Sequence, residues 1–141
     1  MNGNVLLDSN IIVYLSKGEL RWETFFEDAN TYYVSVISYM ETLGFPFESK
    51  REQEFVQRLL SLFQIIYINQ RIADKVVEIR QRKKMKLPDA IIAATALEKR
   101  CVLVTRDDND FKNIEHLHVI NPFLRKNEIA LVEGRAPSSS S

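Results

Sequence analysis

Asp107 and Asp110 stand three residues apart in CVLVTRDDNDF (Cys101 to Phe111), which opens on a short apolar run. Far upstream, NVLLDSN (Asn4 to Asn10) puts Asp8 in the same relation to another apolar run. In α/β sheets, ligands gather in the crevice at the carboxyl ends of the strands. Two strands that both end in Asp therefore point to one acidic pocket. Two carboxylates about 4 Å apart repel by roughly 4 kcal/mol at an effective dielectric near 20. A cluster of three or four is costly unless it is protonated or holds a cation. No His or Cys accompanies these acids, and oxygen-only ligands favour Mg²⁺ or Mn²⁺ over zinc. The expected chemistry is that of a divalent-metal enzyme.

Two more acids sit in largely apolar surroundings. Asp89 follows Pro88 in the first turn of a helix, and Glu41 lies within SVISYMETLGF. Each acid also has a plainer reading. Asp8 and Asp107 suit turns or helix N-caps, and Asp89 and Glu41 suit the positive end of a helix. Singly, the plain reading is the better one. Jointly the balance shifts, because several acids land where the active edge of a sheet should be.

The elements that must position them follow from periodicity. Val5 to Leu7 reads as a buried strand, and Asn10 to Ser16 as a short helix ended near Gly18. Trp22, Phe25 and Phe26 recur at helical spacing between Leu20 and Asp28, ahead of a strand over Tyr32 to Val36. Ser38 with Glu41 matches a capping box, which starts the next helix there. Glu52 to Phe63 carries a broad apolar face and is read as a helix. Ile65 to Ile68 is a third strand; Ile72, Val76 and Ile79 mark a helix ending in the basic run Arg80 to Lys86. Pro88 is tolerated in a first helical turn, and Val102 to Val104 and His118 to Ile120 supply two last strands. Strands alternating with helices predict an α/β fold, a parallel sheet covered on both faces.

At 141 residues the chain fits one domain, expected over 1–132, with 133–141 a disordered tail. Nineteen basic and nineteen acidic residues cancel, so net charge gives no pointer to nucleic acid. The single cysteine, Cys101, opens an apolar strand and is read as an inert core thiol in a reducing compartment. No apolar stretch approaches the ~20 residues that span a bilayer, and no secretory signal is visible. The cytoplasm is the expected location.

Asp8-Ser9-Asn10 after a first strand, Glu41 in a short helix, Leu87-Pro88-Asp89-Ala90 and Thr105-Arg106-Asp107-Asp108-Asn109-Asp110-Phe111 together resemble the PIN-domain ribonucleases. Within them, the sequence is most similar to the VapC-like toxins of toxin–antitoxin pairs, over roughly residues 4 to 122. The resemblance implies a three-layer α/β/α sandwich and Mg²⁺- or Mn²⁺-dependent cleavage of RNA by a water attacking phosphate. It maps the acidic quartet onto Asp8, Glu41, Asp89 and Asp107, with Asp110 as a further ligand. Ser9 and Thr105 take supporting roles. It also implies a homodimer, for which Phe45, Phe47 and Phe55 are candidates, and a VapB-like antitoxin whose tail fills the acidic groove. Asp107 departs from the Asn common at its position, and the neighbouring Asp108 has no assigned place.

Outside the acids, Arg80, Arg82, Lys83, Lys84 and Lys86 could grip phosphates or simply complement a helix end. Tyr32, Tyr33 and Tyr39 could stack on bases, though strand core is the better reading. His116 and His118 read as spectators. The alternative to a nuclease is a catalytically silent PIN-like module that binds RNA or protein. A receiver-like phosphoacceptor domain is a poorer fit, since neither its phosphoacceptor Asp nor its late Lys can be placed.

Overall fold

The protein is described by a computed structural model covering residues 3–24 and 26–124. Five strands form one all-parallel sheet in the order β3-β2-β1-β4-β5. They are β1 (Asn4–Leu7), β2 (Thr31–Ser35), β3 (Gln64–Ile66), β4 (Cys101–Val104) and β5 (Val119–Ile120). Five α-helices connect them: α1 (Ser9–Ser16), α2 (Val36–Leu43), α3 (Lys50–Leu60), α4 (Gln70–Arg82) and α5 (Leu87–Glu98).

Side-chain alternation along the strands divides the core in two. Leu6 and Leu103 point into a cluster with Ile72, Val76 and Ile79 of α4 and the apolar side of α5. Val5, Leu7 and Val104 point the other way, against Ile11 and Ile12 of α1 and Val56 and Leu60 of α3. The sheet is thus covered on both faces, as parallel sheets require. This is the α/β three-layer arrangement that the sequence predicts. Helix α5 is buried from Ala90 through Ala96. Its small side chains let it lie close to the sheet, and Thr95 returns its hydroxyl to the Ile91 carbonyl at 2.7 Å.

Three sequence expectations need correction. Helix α2 begins two residues before Ser38. Its N-cap is Ser35, whose Oγ accepts from the Ile37 amide at 3.2 Å. Ser38 is instead buried inside the helix, with a hydroxyl that meets no partner among the described residues. No capping box therefore claims Glu41. Between Leu20 and Asp28 the described residues make a 3₁₀ turn, Trp22–Thr24, rather than the helix suggested by spacing. The aromatic residues there serve tertiary packing: the Trp22 ring lies 4.7 Å from Phe26, 5.2 Å from Tyr32 and 5.6 Å from Phe63. Finally, β3 stops at Ile66, so Tyr67 and Ile68 lie beyond the strand and exposed.

The tail and the mixed segment before it, 125–141, lie outside the described residues, as does Phe25. Among the described residues, no helix is long and apolar enough to cross a membrane.

The corrected cap has a measurable consequence. Replacing Ser35 by Ala is expected to cost about 1 kcal/mol through the lost cap. Ser38→Ala removes a buried hydroxyl already without a partner, so it is expected to be neutral or stabilising. Urea midpoints of the two variants check both.

Candidate metal and active site

The sheet changes winding direction between β1 and β4. From β1 the chain steps outward to β2 and β3, then crosses back to β4 and outward again to β5. Such a switch point opens a crevice at the carboxyl ends of the two central strands. Leu7 pairs with Val104 in register, so the next residues, Asp8 and Thr105, are neighbours at that edge.

Asp8 serves as N-cap and as central acid at once. Its extended backbone ends β1, and its Oδ1 accepts from the Ser9 amide at 2.8 Å as α1 begins. Its Oδ2 accepts from Thr105 Oγ1 at 2.8 Å, a bond between residues 97 apart in sequence. Both side chains are buried, Thr105 completely. Burial pushes the Asp8 carboxyl up from the usual 3.8 to about 6. The bonds from Thr105 and Ser9 oppose this by favouring the charged form, while Asp89 and Asp107 add to it by repulsion.

The other acids arrive on separate elements. Asp89 occupies the first turn of α5. Its carboxyl is raised chiefly by burial, then by Asp110, with further repulsion from Glu41 and Asp107 and relief from Lys86. Glu41 extends from α2 and accepts from Ser9 Oγ at 2.8 Å. Asp107 follows β4 ahead of a 3₁₀ turn, Asp108–Phe111, without capping it. Phe111 is buried in the core and pins that turn, which carries Asp110. The structure thus gathers the acids around Asp89, which feels Asp110, Glu41 and Asp107, while Asp8 feels Asp89 and Asp107. Ser9 and Thr105 hold two of them by hydrogen bonds.

Asp108, unassigned from sequence, faces away from this group. Its Oδ1 accepts from Asn121 Nδ2 at 3.0 Å, and the same amide also donates to the Arg106 carbonyl at 3.1 Å. Asn10 was overlooked as a site residue. Its Nδ2 donates to Asp107 Oδ2 at 3.0 Å and to Thr105 Oγ1 at 3.4 Å, and its Oδ1 accepts from the Arg106 amide at 3.3 Å. One amide thereby fixes the whole turn after β4. The Asp8-Ser9-Asn10 motif contained it, but nothing local marks a partner 97 residues away.

The basic run divides on inspection. Arg80 donates to the Met85 carbonyl at 3.2 Å, and Arg82 pairs with Glu78 at 3.8 Å. Lys86 alone of the five acts on an acid of the site, Asp89. A cleft of about 240 Å³ lined by Ile79, Arg82, Leu97, Asn113 and His116 includes none of the five acids. Tyr32 is buried, whereas Tyr39 is at the surface. Cys101 is buried, and desolvation holds its thiol up at about 12, which makes it unreactive.

All five side chains are hard oxygen donors, a set suited to Mg²⁺ or Mn²⁺. Among the described residues, no three His, Cys, Asp or Glu side chains are already gathered into a coordination sphere. The fit therefore rests on donor chemistry and on repulsion that a cation would relieve.

This fold with an acid cluster at the switch point defines a class of protein, and comparison with known families specifies it. The family model described as "PIN domain" matches residues 5–117, and the chain belongs to that family. A toxin–antitoxin complex from Klebsiella pneumoniae matches at 35% identity and TM-score 0.67, over 86% of this chain and 99% of that one. VapBC2 from Rickettsia felis, solved with a DNA fragment from their promoter, matches at 23% and 0.72, over 84% and 98%. VapBC-1 from nontypeable Haemophilus influenzae matches at 23% and 0.70, over 86% and 99%. A comparison with curated protein sequences gave no match.

The raised Asp8 carboxyl sets a pH signature. Folded Asp8 holds its proton more tightly than the unfolded chain does, so its stabilising contribution is full below about pH 4. It is lost as pH rises through about 6, a change of roughly 3 kcal/mol at most. In EDTA, the urea midpoint is expected to fall over this window, and Asp8→Asn is expected to flatten the fall.

Proposed function

We propose that the chain is a Mg²⁺- or Mn²⁺-dependent endoribonuclease and the toxin of a toxin–antitoxin pair. The observation that carries this reading is the convergence of five carboxylates at the switch point, one of them buried and raised to about 6. A protein built only for stability would gain from replacing such a group. Asp8, Glu41, Asp89 and Asp107 would hold the cation, with Asp110 beside Asp89. When bound, a divalent ion supplies positive charge against the scissile phosphate and acidifies the attacking water.

The chain's own residues account for the rest. Asp8 is anchored through both oxygens, so it keeps its position as charge changes around it. Ser9 aims Glu41, and Asn10 aims Asp107, each by a side-chain hydrogen bond. Asp110 opposes the ionisation of Asp89, which makes Asp89 able to take up a proton released nearby. Without a cation the same group repels a phosphate backbone, so metal governs substrate binding as well as reaction.

The toxin reading draws on the Klebsiella pneumoniae match, itself a toxin–antitoxin complex. It brings a VapB-like antitoxin, whose basic side chain, most simply an Arg, would pair with the carboxylates. It also brings a homodimer and a cytoplasmic setting. Phe45 and Phe55 are exposed and available to a dimer interface, while Phe47 packs against the core. The silent-module alternative draws on the acids' not being gathered into a ready coordination sphere.

Cleavage of a mixed single-stranded and structured RNA pool separates the two. Wild type is expected to cleave with Mg²⁺ or Mn²⁺ and not with EDTA. Asp8→Asn and Asp89→Asn are each expected to lose at least a hundredfold in rate, on the order of 3 kcal/mol. Full activity in either variant, or in EDTA, overturns the assignment.

A further inference from the structure

Arg106 lies between Thr105 and Asp107, yet its guanidinium serves neither. It stacks over the ring of Phe123 at 4.2 Å and over Tyr14 at 5.1 Å, and those rings meet edge to face at 4.9 Å. Among the described residues it forms no ion pair, and the residue is exposed. Its backbone is fixed on both sides, by Asn10 at the amide and by Asn121 at the carbonyl. An unpaired cation this firmly held, beside a group of acids, is an unusual use of an arginine.

Geometry gives it a direction. Tyr14 lies four residues after Asn10, on the same face of α1, and Asn10 touches Asp107. The ring under the guanidinium thus stands about one helical turn, ~5 Å, along α1 from Asn10, the residue that donates to Asp107. On the other side, Lys86 at the start of α5 faces Asp89. Arg106, packed over α1, and Lys86, at the start of α5, thus come from opposite faces of the sheet. A phosphodiester strand drawn across the mouth would meet like charge at its centre and opposite charge on both flanks.

We propose that Arg106 is the phosphate grip on the α1 side, binding a backbone phosphate of the substrate strand next to the cleaved bond. This rests on the nuclease reading above and adds a positioning residue to it. A guanidinium held over aromatic rings keeps N–H donors free, and two of them can engage one phosphate. Holding it in place beforehand lowers the entropy lost on binding. Lysine could supply the charge but neither the stacking nor the paired donors.

The test measures binding of a labelled single-stranded RNA by fluorescence anisotropy in Mg²⁺ buffer, between 50 and 200 mM salt. The Asp8→Asn protein is the parent, so that RNA stays intact, and Arg106→Gln and Arg106→Lys are added to it. Arg106→Gln is expected to weaken binding roughly tenfold. It is also expected to flatten the log–log salt slope by about 0.7, one phosphate contact on a single strand. Arg106→Lys is expected to restore the slope while recovering only part of the affinity. In the otherwise wild-type enzyme, Arg106→Gln is expected to raise KM and leave kcat largely intact.

An unchanged slope with a lowered melting temperature would make Arg106 a structural brace and overturn the proposal. So would unchanged affinity and KM, the result expected if the guanidinium instead receives an acidic peptide. Either outcome alongside cleavage by wild type leaves the nuclease reading standing. Absence of both cleavage and RNA binding removes the two together.

Discussion

Everything at the carboxyl edge of the sheet depends on one hydrogen bond, from Thr105 Oγ1 to Asp8 Oδ2. It joins the ends of β1 and β4 at the point where the winding of the sheet reverses. Because Thr105 is completely buried, the bond operates where water cannot replace it. The same hydroxyl accepts from the Asp107 amide at 3.0 Å, so it also starts the turn that carries the later acids. One threonine thus sets the position of one carboxylate and the departure angle of two more. Asn10 repeats the arrangement from α1, reaching the same hydroxyl and the Asp107 carboxylate.

All three layers contribute to the site, and none could form it alone. Ser9 and Asn10 come from a helix packed on one face, Asp89 from a helix on the other, and Asp8, Thr105 and Asp107 from the strand ends between them. The large aromatic and aliphatic side chains that fill the two cores therefore hold the spacing of the charges. Phe111 shows this most directly: an apolar anchor buried one residue after Asp110 keeps that acid facing Asp89. The electrostatic cost of gathering the carboxylates is borne by packing elsewhere, a common relation between active sites and the folds that carry them.

Much of this was legible in the sequence because a parallel sheet writes itself plainly. Short apolar runs ending in Asp gave the strand ends, and an Ala-rich stretch behind Pro88 gave the buried helix. What was not legible has a physical pattern. The Ser38–Glu41 spacing imitated a capping box, but Ser35 at the end of β2 reached the helix first. Trp22 and Phe26 kept helical spacing while packing around Tyr32 and Phe63 instead. Asn10, Asn121 and the stacked Arg106 escaped notice because their partners lie far off in sequence. Local propensity reports on neighbours along the chain; these residues answer to neighbours across the fold.

The distance between β1 and β4 in sequence also dictates when the protein can act. Thr105 leaves the ribosome 97 residues after Asp8. Until the fourth strand has left the exit tunnel, the first has no partner on that side and Asp8 has no hydroxyl to hold it. Long-range parallel pairing is also slow to form. A chain still in synthesis therefore carries separated carboxylates and no assembled centre. For the nuclease proposed above, the order of the strands works as a safety catch, released only once the fourth strand has been made.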